Sequence, residues 1–119
     1  MPNSASIETF LRHQMDMFNQ GRREEFIAAY REIAPFGFKL DDPVGGERRE
    51  GLHLIAELFD RYVGWQLSFV HLIVNGSEAA ACVRNEGAVN GKAVTVYSLE
   101  TYHFGEDGSF LARYFHPQI

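Results

Sequence analysis

The sequence predicts a single α+β domain in which a curved antiparallel sheet wraps around N-terminal helices and leaves a cone-shaped pocket. Three observations carry this expectation. Three helical patterns and one short strand occupy the chain up to about residue 63, long strand patterns separated by turn signals fill the rest, and 119 residues suffice for one core but not two. The domain therefore spans residues 1 to 119 without an internal linker or repeat.

The first helix is predicted over residues 6 to 20, with Ser6 as N-cap and Gly21 just past the end. Its apolar stripe runs Ile7, Phe10, Leu11, Met15 and Phe18, and Gln14 completes the helical spacing in the middle. A polar amide thus stands where a core residue is expected. The second helix is predicted over residues 22 to 33, with Phe26, Ala29, Tyr30 and Ile33 on one side, and "IAPFG" breaks it. A third is predicted over residues 50 to 63, with Ile55, Leu58, Phe59 and Tyr62 as its stripe.

Between the second and third helices lies "FGFKLDDPVGGERREG", residues 36 to 51. Successive side chains of a strand point to opposite faces, so Phe36, Phe38, Leu40 and Asp42 share the apolar face, while Lys39 and Asp41 share the solvated one. A carboxylate aimed at the interior must find donors or shift its pKa, and such groups gather at functional sites. Asp before Pro also opens turns, and "DPVGG" is turn-rich, so a purely structural role for Asp42 stays open here.

After residue 63 the segments "WQLSFVHLIV", "AAACVRNEGAV", "KAVTVYSLETYHF" and "FLARYFH" are rich in β-branched and aromatic residues, with "NGSE", "NGK" and "GEDGS" as turns. In the third of them Val94, Val96, Ser98, Glu100, Tyr102 and Phe104 share a face. Glu100 is therefore a second candidate acid in the pocket.

Composition excludes several classes. A formal net charge of -5 and the lack of a basic cluster interleaved with aromatics argue against nucleic acid as a partner. No apolar run approaches the roughly 20 residues that cross a bilayer, so no membrane partner is expected. A single cysteine, Cys82, and an N-terminus without signal-peptide character point to a cytoplasmic protein. Five scattered histidines lack paired metal-ligand spacing, so neither a metal nor another cofactor is expected. His13 lies one helical step off the apolar stripe and reads as surface, whereas His71 reads as a satisfied core histidine or a polar pocket contact. Arg113 either reaches inward to pair with a carboxylate, which would oppose a neutral Glu100, or is solvated or at an interface. No nucleophile elbow, phosphate loop or dinucleotide fingerprint is present.

The element order, together with "LDDPVGGERREG" followed by "LIAELFDRY", resembles the ketosteroid isomerase group of the nuclear transport factor 2-like (SnoaL-like) superfamily. The resemblance spans roughly residues 7 to 116 and is densest between Leu40 and Phe59. It implies that Asp42 is the general base moving a proton between carbons of a 3-oxo steroid, and that Glu100 stands where the family has a protonated Asp donor. It also implies that Gln14 stands where the family has a donor Tyr. Glu keeps a carboxylic acid, but an amide is a weaker donor than a phenol. The additional "EIAPFG" is expected to change the mouth of the pocket.

The expected catalytic set is thus Asp42, Glu100 and Gln14, with Phe38, Phe59, Phe18, Tyr102 and Phe115 as the apolar binding surface for a small hydrophobic molecule. Three functions fit: an isomerase of a steroid-like substrate; another pocket chemistry on the same scaffold, such as a dehydratase, polyketide cyclase or epoxide hydrolase; or a non-catalytic small-ligand-binding protein. The sheet face with Tyr97, Leu99 and Thr101 is apolar enough to predict a homodimer.

Overall fold

The computed structural model describes residues 2–117, in the order α1 (Ser4–Asn19), α2 (Arg23–Ile33), β1 (Gly37–Asp41), β2 (Arg49–Glu50), α3 (His53–Tyr62), β3 (Gln66–Asn75), β4 (Glu78–Val89), β5 (Lys92–Phe104) and β6 (Ser109–Phe115). No helix among these residues is long and apolar enough to cross a membrane.

Helix α1 starts earlier than predicted because Asn3, not Ser6, is the cap. The Asn3 side chain accepts from the Ser6 backbone N–H at 2.9 Å, and the Ser6 hydroxyl accepts from the Asn3 N–H at 2.9 Å, a reciprocal capping box. Helix α3 starts later than predicted because Arg49 and Glu50 form a short strand paired antiparallel with Leu40 and Lys39 of β1. Gly51 then turns the chain at φ +131°, and the His53 imidazole occupies the space that a Cβ there would need.

The sheet has six strands in the order β2-β1-β6-β5-β4-β3. It is mixed rather than wholly antiparallel, because β1 joins β6 in parallel through a long excursion that includes α3 and four further strands. The helices pack on one face. Phe10 of α1 makes edge contacts with Phe104 of β5 and Phe110 of β6, with ring centroids 6.1 and 5.9 Å apart, while Asn19 at the other end of α1 bonds both backbone groups of Leu67 on β3. One helix thus reaches both β6 and the β3 edge, so the sheet curls around it.

A β-bulge between Phe69 and His71 reverses the parity of β3. Leu67 and Phe69 face inward before it, Leu72 and Val74 after it, and His71 and Ile73 are turned out to solvent. His71 is therefore neither a core histidine nor a pocket contact. His13 is exposed, as its off-stripe position predicts. In β5 the alternation holds throughout, with Ser98, Tyr102 and Phe104 buried and Tyr97 and Leu99 exposed on the opposite face.

Candidate active site

The inner face of the sheet and the three helices enclose a cavity of about 340 Å³. Its apolar wall includes Met15, Phe18, Phe26, Leu58, Trp65, Leu67 and Val96, and its polar groups include Gln14, Tyr30, Asp42, Tyr62, Glu100, Tyr114 and His116. Trp65 lies flat against Gly87 of β4, where any side chain would collide with the indole ring.

Asp42 follows the last residue of β1, and its side chain is only 3% exposed. One carboxylate oxygen, Oδ1, lies 2.6 Å from His116 Nε2, and Oδ2 accepts from the Tyr62 hydroxyl at 3.2 Å. Burial pushes this carboxyl upward, but the hydrogen bond and charge of His116, with smaller help from Tyr62 and Arg61, bring it below the ordinary aspartate value. His116 is correspondingly raised, chiefly by its hydrogen bond to Asp42. Burial raises the Tyr62 phenol to about 12, with the Asp42 charge adding to the effect.

Glu100 lies on β5 directly across from Tyr114 on β6. It accepts from the Tyr102 hydroxyl and, at 3.2 Å, from the Ser98 hydroxyl. Burial nevertheless dominates and raises its pKa, with the Asp42 charge adding a smaller push in the same direction. The two acids of one cavity are therefore driven apart, one toward the carboxylate and the other toward the neutral acid.

Gln14 is buried and faces the cavity, as the helical spacing predicts. Its amide does not point freely inward: Nε2 donates to the Leu11 carbonyl at 2.8 Å, and Oε1 accepts from the Tyr30 hydroxyl at 3.1 Å.

Asp41 corrects the sequence reading in an instructive way. It does sit on the face opposite Leu40, yet it is buried rather than solvated, because Arg48 binds both its oxygens at 2.7 Å and Arg113 binds Oδ2 at 2.9 Å. The Arg48 hydrogen bond, opposed by burial and supported by Arg113, lowers its pKa to about 2. Arg113 pairs with Asp41, its register partner across the parallel strands, and so leaves Glu100 alone.

Of the five residues expected to form the apolar binding surface, Phe18 lines the cavity. Phe38 and Phe59 are buried in the core behind it, packed on Tyr30 and Phe110 and on Phe18 and Phe26 respectively. Tyr102 stacks on Phe110 and spends its hydroxyl on Glu100. Phe115 is on the outer face of β6, under the Arg113 guanidinium, because the inward residues of that strand are Phe110, Ala112 and Tyr114. Phe36 is 80% exposed and lies over Gly108, so the apolar alternation of β1 begins only at Phe38. The "EIAPFG" segment lies away from the cavity mouth: Ile33, Pro35 and Phe36 line a separate groove beside the N-terminus of α1.

Tyr30, Tyr62, Tyr114 and His116 were absent from the expected site. Alternation along "FLARYFH" was the signal for the last two, since inward Phe110 implies Tyr114 and His116 at the same parity. Among the described residues no group of three His, Cys, Asp or Glu side chains gathers as a metal-binding cluster.

No protein-family model matches the chain, and no curated protein sequence matches it. Solved structures do. SalBIII, an epoxide hydrolase/cyclase-like enzyme with a role in pyran ring formation in the polyether salinomycin, superposes with a TM-score of 0.76 at 19% identity, over 93% of this chain and 90% of that one. A ketosteroid isomerase candidate from Kribbella flavida DSM 17836 superposes with a TM-score of 0.70 at 21% identity, over 93% of this chain and 77% of that one. The chain has the nuclear transport factor 2-like fold. In this chain the fold places Gln14 on α1, Asp42 just past β1 and Glu100 on β5, all around one cavity.

Proposed function

We propose that the protein is an isomerase of the ketosteroid type, moving a proton α to a carbonyl in a small apolar substrate, with Asp42 as the general base. The observation that carries this reading is the pair of acids lining one largely apolar cavity with opposite pKa displacements, Asp42 lowered and Glu100 raised. Asp42 takes the proton from carbon while the C–H electron pair flows to the carbonyl oxygen as an enolate. The same carboxyl then returns the proton to a second carbon of the conjugated system, so charge and atoms balance. Glu100, neutral, donates a hydrogen bond to the enolate oxygen where negative charge develops. The hydrogen bond to His116 favours the ionised form of Asp42.

One observation favours a second reading. A protonated His116 at 2.6 Å from Asp42 is an acid beside a base, which also suits opening or closing a cyclic ether, the type of chemistry named for SalBIII. Product analysis separates the two readings. The protein is incubated in heavy water with 3-oxo steroids and small cyclic enones, and the protons next to the carbonyl are followed by NMR. Deuterium entry that needs Asp42 supports the isomerase. No exchange, with conversion of epoxy alcohols to cyclic ethers instead, moves the assignment to the second reading.

A further inference from the structure

The proposed reaction needs donors for the enolate oxygen, and the hydrogen bonds of the cavity show which hydroxyl is left to serve. Tyr30 gives its proton to Gln14 Oε1. Tyr62 gives its proton to Asp42 Oδ2. Tyr102 and Ser98 give theirs to Glu100. The Gln14 amide is engaged with the Leu11 carbonyl, and the Asn85 amide with Val83, Val96 and Ser98. Tyr114 remains. Its hydroxyl neighbours that of Tyr30, which has already spent its own proton and can only accept. Tyr114 also stands directly across the β5–β6 ladder from Glu100, so the two project from adjacent strands into the same cavity.

We infer that Tyr114 is the second donor to the enolate oxygen, paired with Glu100 across the β5–β6 ladder, and that Gln14 and Tyr30 position it. This inference rests on the proposed isomerase reading but locates an oxyanion site that can be tested without turnover. The Tyr30 hydroxyl accepts the Tyr114 hydrogen bond only until a stronger acceptor arrives. An enolate or phenolate oxygen carries more negative charge than a phenol oxygen and takes that hydrogen bond. Because Gln14 fixes the direction of the Tyr30 hydroxyl, Tyr30 cannot turn to donate in its place. The tyrosine absent from α1 is thus replaced by one from the last strand, on the opposite wall of the cavity.

The test uses 2-naphthol, a planar phenol whose anion mimics the enolate, and naphthalene, which has the same rings without the oxygen. Tyr114→Phe is expected to weaken 2-naphthol binding by roughly 10- to 100-fold, the range for a hydrogen bond to a charged partner, while naphthalene binds as it does to the wild type. Tyr30→Phe is expected to change 2-naphthol binding by only a few-fold. The proposal is overturned by a wild type that does not bind 2-naphthol, by equal 2-naphthol affinity in the wild type and Tyr114→Phe, or by parallel losses for both ligands. Asp42→Asn separates this site from the base. If 2-naphthol binding depends on Tyr114 and persists in Asp42→Asn while no enone exchanges with either protein, the oxyanion site stands and the isomerase reading fails.

Discussion

Gln14 on α1 accepts the Tyr30 hydroxyl of α2 at 3.1 Å, so the amide in the middle of the apolar stripe ties the first two helices together beneath the cavity. Both groups are buried, and each would be costly to leave unpaired. The residue therefore has two tasks, one in packing and one in fixing the polar end of the cavity.

Gln14→Ala removes the acceptor and is expected to lower stability by about 1–3 kcal/mol, read as a lower midpoint in urea unfolding. Gln14→Tyr is expected to raise turnover of a cyclic enone by about tenfold, since a phenol there both accepts from Tyr30 and donates a stronger hydrogen bond into the cavity. Unchanged turnover in Gln14→Tyr would show that this part of α1 does not reach the substrate oxygen.

The adjacent aspartates are predicted to divide chemistry from stability. Asp42→Asn is expected to lower proton transfer by about 10²- to 10⁴-fold with little change in unfolding midpoint. Asp41→Asn is expected to do the reverse, leaving turnover within a few-fold while weakening the tie among β1, Arg48 and β6. The sign of its pH dependence follows from a pKa lowered to about 2: the stability contributed by Asp41 is present above the ordinary aspartate value of 3.8 and is lost as pH falls through about 2. Acid unfolding curves of the wild type and Asp41→Asn should therefore converge at low pH. Curves that stay parallel would show that the two arginines contribute nothing.

Much of this arrangement was legible in the sequence, and the misses have specific causes. Periods of 3.6 and 2 placed Gln14, Asp42 and Glu100 on inward faces because burying an apolar stripe leaves little choice of orientation. The same counting failed at His71, where a bulge inserts one residue and reverses the strand, a feature with no glycine or proline to mark it. It also failed for the solvation of Asp41, since alternation gives the direction of a side chain but not what folds over it, here Arg48 from a loop and Arg113 from a strand 72 residues away. The Tyr62 and His116 contacts with Asp42 join residues 20 and 74 apart, and only the folded sheet with α3 packed on it brings them together.

Turnover is predicted to follow a bell in pH, with Asp42 ionised and Glu100 protonated in the active form. Asp42 stays ionised to below its ordinary value of 3.8, and Glu100 keeps its proton above its ordinary value of 4.5. The acid limb is therefore set by Asp42 and the alkaline limb by Glu100. Glu100→Gln, which cannot ionise, should retain reduced activity and lose the alkaline limb in a profile of kcat/KM. An alkaline limb unchanged in Glu100→Gln would reassign it to His116 or to the substrate.

A homodimer through the outer face of the sheet is the last expectation. Cys82, Leu99 and Phe115 lie in register across β4, β5 and β6, and Leu99 is 59% exposed, with Tyr97 and Ile73 also exposed on this side. This row faces away from the helices, so nothing among the described residues covers it, and a contiguous apolar patch of that kind is usually an interface. A two-fold pairing of the patch with itself would bury Leu99 and Phe115 in both copies at once. Leu99→Glu places a charge at the centre of that contact without touching the cavity, because Leu99 and Glu100 point to opposite faces of β5. Sedimentation at micromolar concentration should give a dimer for the wild type and a folded monomer for Leu99→Glu. A monomeric wild type under those conditions would mean that the exposed row is tolerated rather than covered.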